Sequence, residues 1–322
     1  MSPFGFNTTS EEVVSAFAGN VRGRTFLITG PSAKSLAAYA ATSLAKESPE
    51  HIILVGRNKA KIDPVIDAIK ATDAKVKVIF VQCDLSDQDS VRKAAGEINS
   101  NPDIKKIDVV INCAGVMDIE EYTLDKKGNE LTFSANHIGH FLLTNLIMPK
   151  ILAAGKGARI VNVTSHGHRV SPVRFDDPAF SGGKTYDGWS AYGQSKTANM
   201  LFSVELARRL ADRGVYSFSV HPGGILDTGL AQHLEMKAFD QINEIAIRNT
   251  GRPFQVDHPF KTTSEGTSSI LAAALDPAFE SQSGIFIQDC QAGSPFEYAV
   301  DPENAKKLWT LTEELVGEKF SP

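Results

Sequence analysis

Between residues 25 and 220, short apolar runs alternate with helix-forming stretches, and this alternation leaves the chain few ways to fold. The runs cover residues 25–30, 51–55, 76–81, 107–112, 159–163 and 215–220, with one more at 284–287. Continuous apolarity over so few residues marks strands buried on both faces, hence a parallel sheet, and parallel neighbours need right-handed crossover helices. The stretches 34–46, 59–71, 87–99, 130–152 and 189–210 supply them. The pattern predicts an α/β fold of Rossmann type: a doubly wound parallel sheet of about seven strands, with helices on both faces. A capping box, Thr9-Ser-Glu-Glu12, predicts a short lead-in helix through about Phe17.

No repeat, low-complexity tract or linker divides the 322 residues, so residues 1–20 read as the lead-in and 21–322 as one domain. The most loop-like stretches, 167–188 and 223–260, follow strands and read as substrate-covering insertions. A net charge of −5 gives no reason to expect a nucleic acid or an anionic membrane as partner. Cys83, Cys113 and Cys290 lie in apolar surroundings without metal-ligand spacing, which predicts reduced thiols and no zinc site. The N-terminus carries no basic leader and the longest apolar run is too short to span a bilayer, so the expected location is cytoplasmic.

In doubly wound sheets ligands sit beyond the carboxyl ends of the strands, so the residues there carry the functional reading. After the first run stands Thr29-Gly30-Pro-Ser32-Ala-Lys34-Ser35-Leu36. A dinucleotide turn is ordinarily glycine-rich, because backbone must press on the pyrophosphate at a helix N-terminus. Here Gly30 is the one glycine, and the segment alone reads equally as a plain strand–helix turn, although Lys34 places a cation there. After the second run, Gly56-Arg57 offers no carboxylate for a free ribose 2′-hydroxyl, whereas arginine matches a 2′-phosphate, so NADP(H) is expected over NAD(H). Asp84 and Leu85 stand where an adenine would be met, and Asn112, Ala114 and Gly115 give a flat ring room against the backbone. Ser165 brings a hydroxyl to the same rim, and Pro222, Gly223 and Thr228 make a turn with exposed amides. His166 and His168 have no third ligand at metal spacing, and no Gly-x-Ser-x-Gly elbow is present for a hydrolase.

The 189–210 helix carries Tyr192 and Lys196, four apart and so stacked on one face. Taken alone such a pair is more often a solvated surface pair. Where it is functional, an ammonium beside a phenol favours the phenolate and tunes it for proton exchange with a substrate oxygen.

In order and spacing, Thr29-Gly30, Asn112-Cys-Ala-Gly115, Asn136 within Ser-Ala-Asn-His-Ile-Gly-His-Phe, Ser165, Tyr192-x-x-x-Lys196 and His221-Pro-Gly resemble the short-chain dehydrogenase/reductase family over about residues 20–290. Asn162-Val-Thr-Ser-His-Gly-His-Arg and Ala191-Tyr-Gly-Gln-Ser-Lys-Thr-Ala-Asn resemble its retinol dehydrogenase-like and WW-domain oxidoreductase-like branch, particularly fungal members. The resemblance implies that Tyr192 is general acid and base, with Lys196 lowering its pKa and bonding the nicotinamide ribose. It implies that Ser165 holds the substrate oxygen and that Asn136 anchors a water joining Lys196 to solvent. The expected activity is NADP(H)-dependent interconversion of a carbonyl and an alcohol on a small, fairly apolar molecule. The altered glycine turn keeps an alternative open, a protein of this fold that no longer turns over hydride. Arg174, Phe175, Phe180 and Trp189, between Ser165 and Tyr192, are expected to wall the substrate pocket, and the oligomeric state is open between monomer, homodimer and homotetramer.

Overall fold

The computed structural model describes residues 2–228, 241–255 and 259–322. Of the 223–260 insertion, residues 229–240 and 256–258 therefore lie outside the described residues. Eight strands form one sheet in the order β3-β2-β1-β4-β5-β6-β7-β8. They are β1 (Thr25–Thr29), β2 (His51–Gly56), β3 (Lys77–Gln82), β4 (Val109–Asn112), β5 (Ala158–Val163), β6 (Val215–His221), β7 (Phe286–Gln288) and β8 (Gln291–Ala292). The first seven run parallel, as the apolar runs require. The short β8 turns back antiparallel on β7 and adds an edge that the sequence pattern did not show.

Strand residues alternate between the two faces, and each face is apolar. Leu27, Ile53, Val110 and Ile160 enter one core, while Phe26, Ile28, Ile52, Leu54, Val109, Ile111 and Val161 enter the other. That is why the runs read as continuous rather than alternating. The crossover helices are α2 (Leu36–Ala45), α3 (Lys59–Thr72) and α4 (Gln88–Ser100), each opened by a side-chain cap from Ser35, Asn58 or Asp87. The lead-in α1 (Ser10–Ala16) has the expected Thr9/Glu12 capping box.

The 130–152 stretch is not one helix. It runs as α5 (Leu131–Phe133), a π turn (Ser134–Ile138), α6 (Gly139–Leu146) and, after a break at Ile147, α7 (Met148–Leu152) with Pro149 in its first turn. α8 (Gly188–Arg209) is capped by Asp187 and buried nearly all round through Ser203. It ends with Glu205, itself 1% exposed, paired to Arg208 and Arg209.

Three helices went unforeseen. α9 (Ile242–Thr250) lies in the stretch expected to be loop, and it has no side-chain cap to announce it. α10 (Thr263–Leu275) opens with a Thr262/Glu265 capping box, and α11 (Pro302–Val316) with Asp301 as cap and Pro302 in its first turn. The buried Arg159 of β5 donates to Ala273 O and Asp276 O, placing a cation at the C-terminal end of α10. α11 packs on α8, with Trp309 against Phe141 and Phe202 and Thr312 2.9 Å from His137 Nε2.

Burial pushes His137, His140 and His168 down from 6.5 to about 3, 4 and 3, so all three are neutral in the fold. Below pH 6.5 the unfolded chain binds protons that the folded chain refuses. Their contribution is therefore complete above that pH and is lost as pH falls, by about 1.4 kcal/mol per group and pH unit. Thermal unfolding followed by circular dichroism at pH 7.5 and 5.5 is expected to show a melting temperature lower by roughly 5–10 °C at the acid end. Equal melting temperatures would contradict the burial of these rings.

Candidate active site

Two tight turns at the carboxyl end of β5 and one face of α8 bring the first group of side chains together. Ser165 leaves β5 in extended conformation and caps a 3₁₀ turn, its Oγ accepting from Gly167 N at 3.0 Å. The Ser165 side chain also stands near enough to the Tyr192 phenol to lower its pKa. One turn along α8, Lys196 is 4% exposed, its Nζ 5.5 Å from the Tyr192 ring centroid and donating to Val163 O at 3.2 Å. A Cβ on Gly167 would lie 2.6 Å from Tyr192 Cε1, so the phenol ring rests directly on the turn after Ser165.

The charges differ from the expectation. Burial pushes the Tyr192 phenol up to about 12, with the Ser165 side chain opposing. The same burial pulls Lys196 down to about 8. Burial disfavours the charged form of each group, which raises the phenol and lowers the ammonium.

Asn136 sits in the π turn, fully buried. Its Oδ1 accepts from Val116 N at 2.8 Å, and its Nδ2 donates to Val116 O and to Ser195 Oγ, both at 2.9 Å. A Cβ on Gly115 would lie 3.2 Å from Asn136 Oδ1 and 3.5 Å from Lys196 Nζ, so the two groups converge on the turn after β4.

The expected cofactor residues line the rim beyond β1, β2 and β4. Gly30 takes a left-handed φ of 74°, and a Cβ there would strike Ala114 at 2.8 Å. Thr29 Oγ1 accepts from the Cys113 and Ala114 amides and locks the two turns together. Lys34, exposed, also has a left-handed φ of 67°, the conformation a glycine would adopt freely. Ser35 caps α2 through Ala38 N and donates to Gly30 O, and Ser32 O accepts from Ser35 N. Leu36 begins α2. Arg57 is exposed and has no ion-pair partner among the described residues. These groups fit an anionic dinucleotide: a helix N-terminus, a close-packed turn and two free cations.

Other members of the expected set are spent inside the protein. Asn112 Nδ2 donates to Thr144 Oγ1 and Asn162 Oδ1, a buried ladder that continues from Asn162 to Ser203. Leu85 points into the core, and Asp84 Oδ1 accepts from Ser86 N and Ser86 Oγ, which closes its own turn. What Asn112 and Leu85 can still offer a ligand is backbone. Pro222 and Gly223 stand after β6, with Gly223 against the Lys261 stem, and Thr228 is 8% exposed.

The residues expected to wall the pocket pack in different places. Phe180 is fully buried within the loop's own core, against Tyr186 and under the Arg174 guanidinium, and Phe175 packs toward the main core. Only Trp189 of that group meets Tyr192, edge-on at 6.3 Å. Around Tyr192 the cluster is completed by Val170, Ile242 and Ile245, with Met117 and Phe254 packed against them. α9 is clamped there by Arg248 to Asp187 and by Asn249 to Val170 O and Ser190 Oγ. The 3.6-residue spacing of Ile242, Ile245 and Ala246 was the signal for this helix.

No group of three or more candidate metal ligands exists among the described residues. No helix among them is long and apolar enough to cross a membrane.

A Rossmann-type sheet with a serine, a tyrosine and a lysine at one strand end is the architecture of a nicotinamide-dependent oxidoreductase. Residues 24–177 match the family described as short chain dehydrogenase. The chain is 32% identical to retinol dehydrogenase 12 of Mus musculus over 316 residues, covering 96% of this chain and 93% of that one. It is 34% identical to the oxidoreductase fscI of Fusarium equiseti over 246 residues, covering 69% and 95%. Among solved structures, an uncharacterised protein from Mycobacterium paratuberculosis matches with a TM-score of 0.69 at 27% identity, covering 93% and 96%. The chain belongs to the short-chain dehydrogenase/reductase family of oxidoreductases, in its retinol dehydrogenase-like branch.

The contact between Gly167 and the Tyr192 ring gives a direct test. In Gly167→Ala the added methyl must displace the phenol, and kcat is expected to fall about 100-fold, the scale of a 1 Å misplacement, with cofactor affinity little changed. A variant of wild-type kcat would show that the ring's placement is immaterial.

Proposed function

We propose that the chain is an NADP(H)-dependent oxidoreductase that interconverts a carbonyl and an alcohol on a small, fairly apolar substrate. The observation that carries this reading is the convergence of Ser165, the Tyr192 ring on the turn after it, and the buried Lys196 one helical turn away, beside an apolar cluster. Ser165 holds the substrate oxygen, and Tyr192 gives it a proton in reduction and takes one in oxidation. A phenol pushed up to about 12 stays protonated at neutral pH, the form reduction needs. Lys196, buried at the convergence with Asn136, supplies the positive charge against which the tyrosine can release its proton. Asn136 anchors the path by which that proton is replaced.

For the cofactor, the start of α2 and Lys34 face the diphosphate, Arg57 pairs with a 2′-phosphate, and the small residues after β4 receive the ring. The chemistry a bound nicotinamide supplies is the hydride. Val170, Trp189, Ile242 and Ile245 exclude water from the reacting carbon and favour an apolar substrate.

Fluorescence titration with NADPH and NADH checks the cofactor assignment. NADPH should bind more tightly, and Arg57→Asp should weaken NADPH by roughly 10- to 100-fold, the worth of a charge-assisted pair, while sparing NADH. Equal loss for both cofactors would remove the arginine from the phosphate site, and no binding of either would remove the oxidoreductase reading.

A further inference from the structure

The π turn that carries Asn136 is tied to the cofactor turn through one buried ring. His140, on α6 and 2% exposed, has Nε2 at 2.8 Å from Thr29 Oγ1 and Nδ1 at 2.9 Å from Asn136 O. The direction of these bonds follows from counting protons. Thr29 Oγ1 already accepts from Cys113 N at 3.0 Å and Ala114 N at 3.1 Å. A hydroxyl has two lone pairs and one proton, so its proton goes to His140 Nε2, which must be bare. The ring's single proton is then on Nδ1 and is donated to the Asn136 carbonyl.

We propose that His140 is a positioning residue that, as the Nδ1–H tautomer, locks the Asn136 carbonyl and couples the proton-relay turn to the turn that receives the cofactor. The proposal rests on the oxidoreductase reading above and adds to it a residue that the Tyr192, Lys196, Ser165 and Asn136 set does not include. A π turn carries one residue more than an α-turn, so the carbonyls at its exit depart from regular helical register and a side-chain donor there fixes their direction. His140 supplies it from four residues on. With the carbonyl fixed, the Asn136 amide keeps its two bonds to Val116, beside the point where Lys196 Nζ approaches Gly115. Thr29 completes the link, because the hydroxyl that orients His140 also holds the Cys113 and Ala114 amides. The ring is not an acid or base in the reaction, since both nitrogens are spent within the protein.

His137 provides an internal contrast. Thr312 Oγ1 donates to Leu308 O, so it accepts from His137 Nε2, which makes that ring the opposite tautomer.

The test is nitrogen NMR of protein labelled in its histidine rings, with the His140 signals identified by their loss in His140→Asn, combined with kinetics of two variants. The expected spectrum shows a proton on Nδ1 of His140 that exchanges slowly with solvent, and a bare Nε2. Asparagine places an amide nitrogen near the Nδ1 position and should keep kcat within about fivefold of wild type. Glutamine reaches the Nε2 position instead, abandons Asn136 O, and should lower kcat about tenfold or more with KM for the carbonyl substrate within about twofold. A proton on Nε2 of His140 overturns the proposal, as does a glutamine variant with wild-type kcat or one whose loss merely tracks a lower melting temperature. The tautomer is read without turnover, so a wild type that oxidised no NADPH would sink the oxidoreductase reading and leave this one to be decided by the ring nitrogens.

Discussion

The clasp between the Asn136 amide and the Val116 backbone is the constraint on which the site depends. Asn136 is buried completely, and an unmade bond there would cost about 1–3 kcal/mol. The amide instead accepts from and donates to the same residue and reaches Ser195 on α8. Three elements are thereby held in register: the turn after β4, the π turn before α6 and the helix bearing Tyr192 and Lys196. The sheet fixes where β4 and β5 end, and this polar seam ties the turn beyond β4 to α8.

Electrostatics follow from the same burial. Apolar surroundings raise the phenol and lower the ammonium, so neither group acquires the value expected from their four-residue spacing. A sequence shows that two groups share a helix face; it does not show that the face points inward. In the proposed reaction the protonated phenol is the donor, and the Lys196 ammonium lies one turn away, donating to Val163 O.

The strands were legible because both faces of the sheet are covered, so apolar residues predominate on both sides of each strand. The four candidate reacting residues were legible because their order and spacing are the family's. The substrate wall was not. Phe175 and Phe180 look like pocket residues in the sequence, yet the loop 167–188 is long enough to build a core of its own and uses Phe180 for it. Ile242 and Ile245 instead pack beside Tyr192, from a helix with no capping residue in a stretch rich in polar residues. α10 and α11 carry capping signals in the sequence, at Thr262/Glu265 and Asp301-Pro302, but lie beyond the strand–helix alternation that marks the other helices. The turn at Lys34 was only half legible: its composition departs from glycine, while its backbone keeps the left-handed conformation that glycine would take.

The central claim is that one phenol moves the proton that turnover requires. It is tested most directly by Tyr192→Phe assayed for NADPH oxidation with a carbonyl substrate of the wild type. The account predicts a kcat lower by about 10²–10⁴-fold, the usual worth of a positioned acid–base group, with NADPH bound as tightly as before. A phenylalanine variant that turns over at the wild-type rate would contradict it.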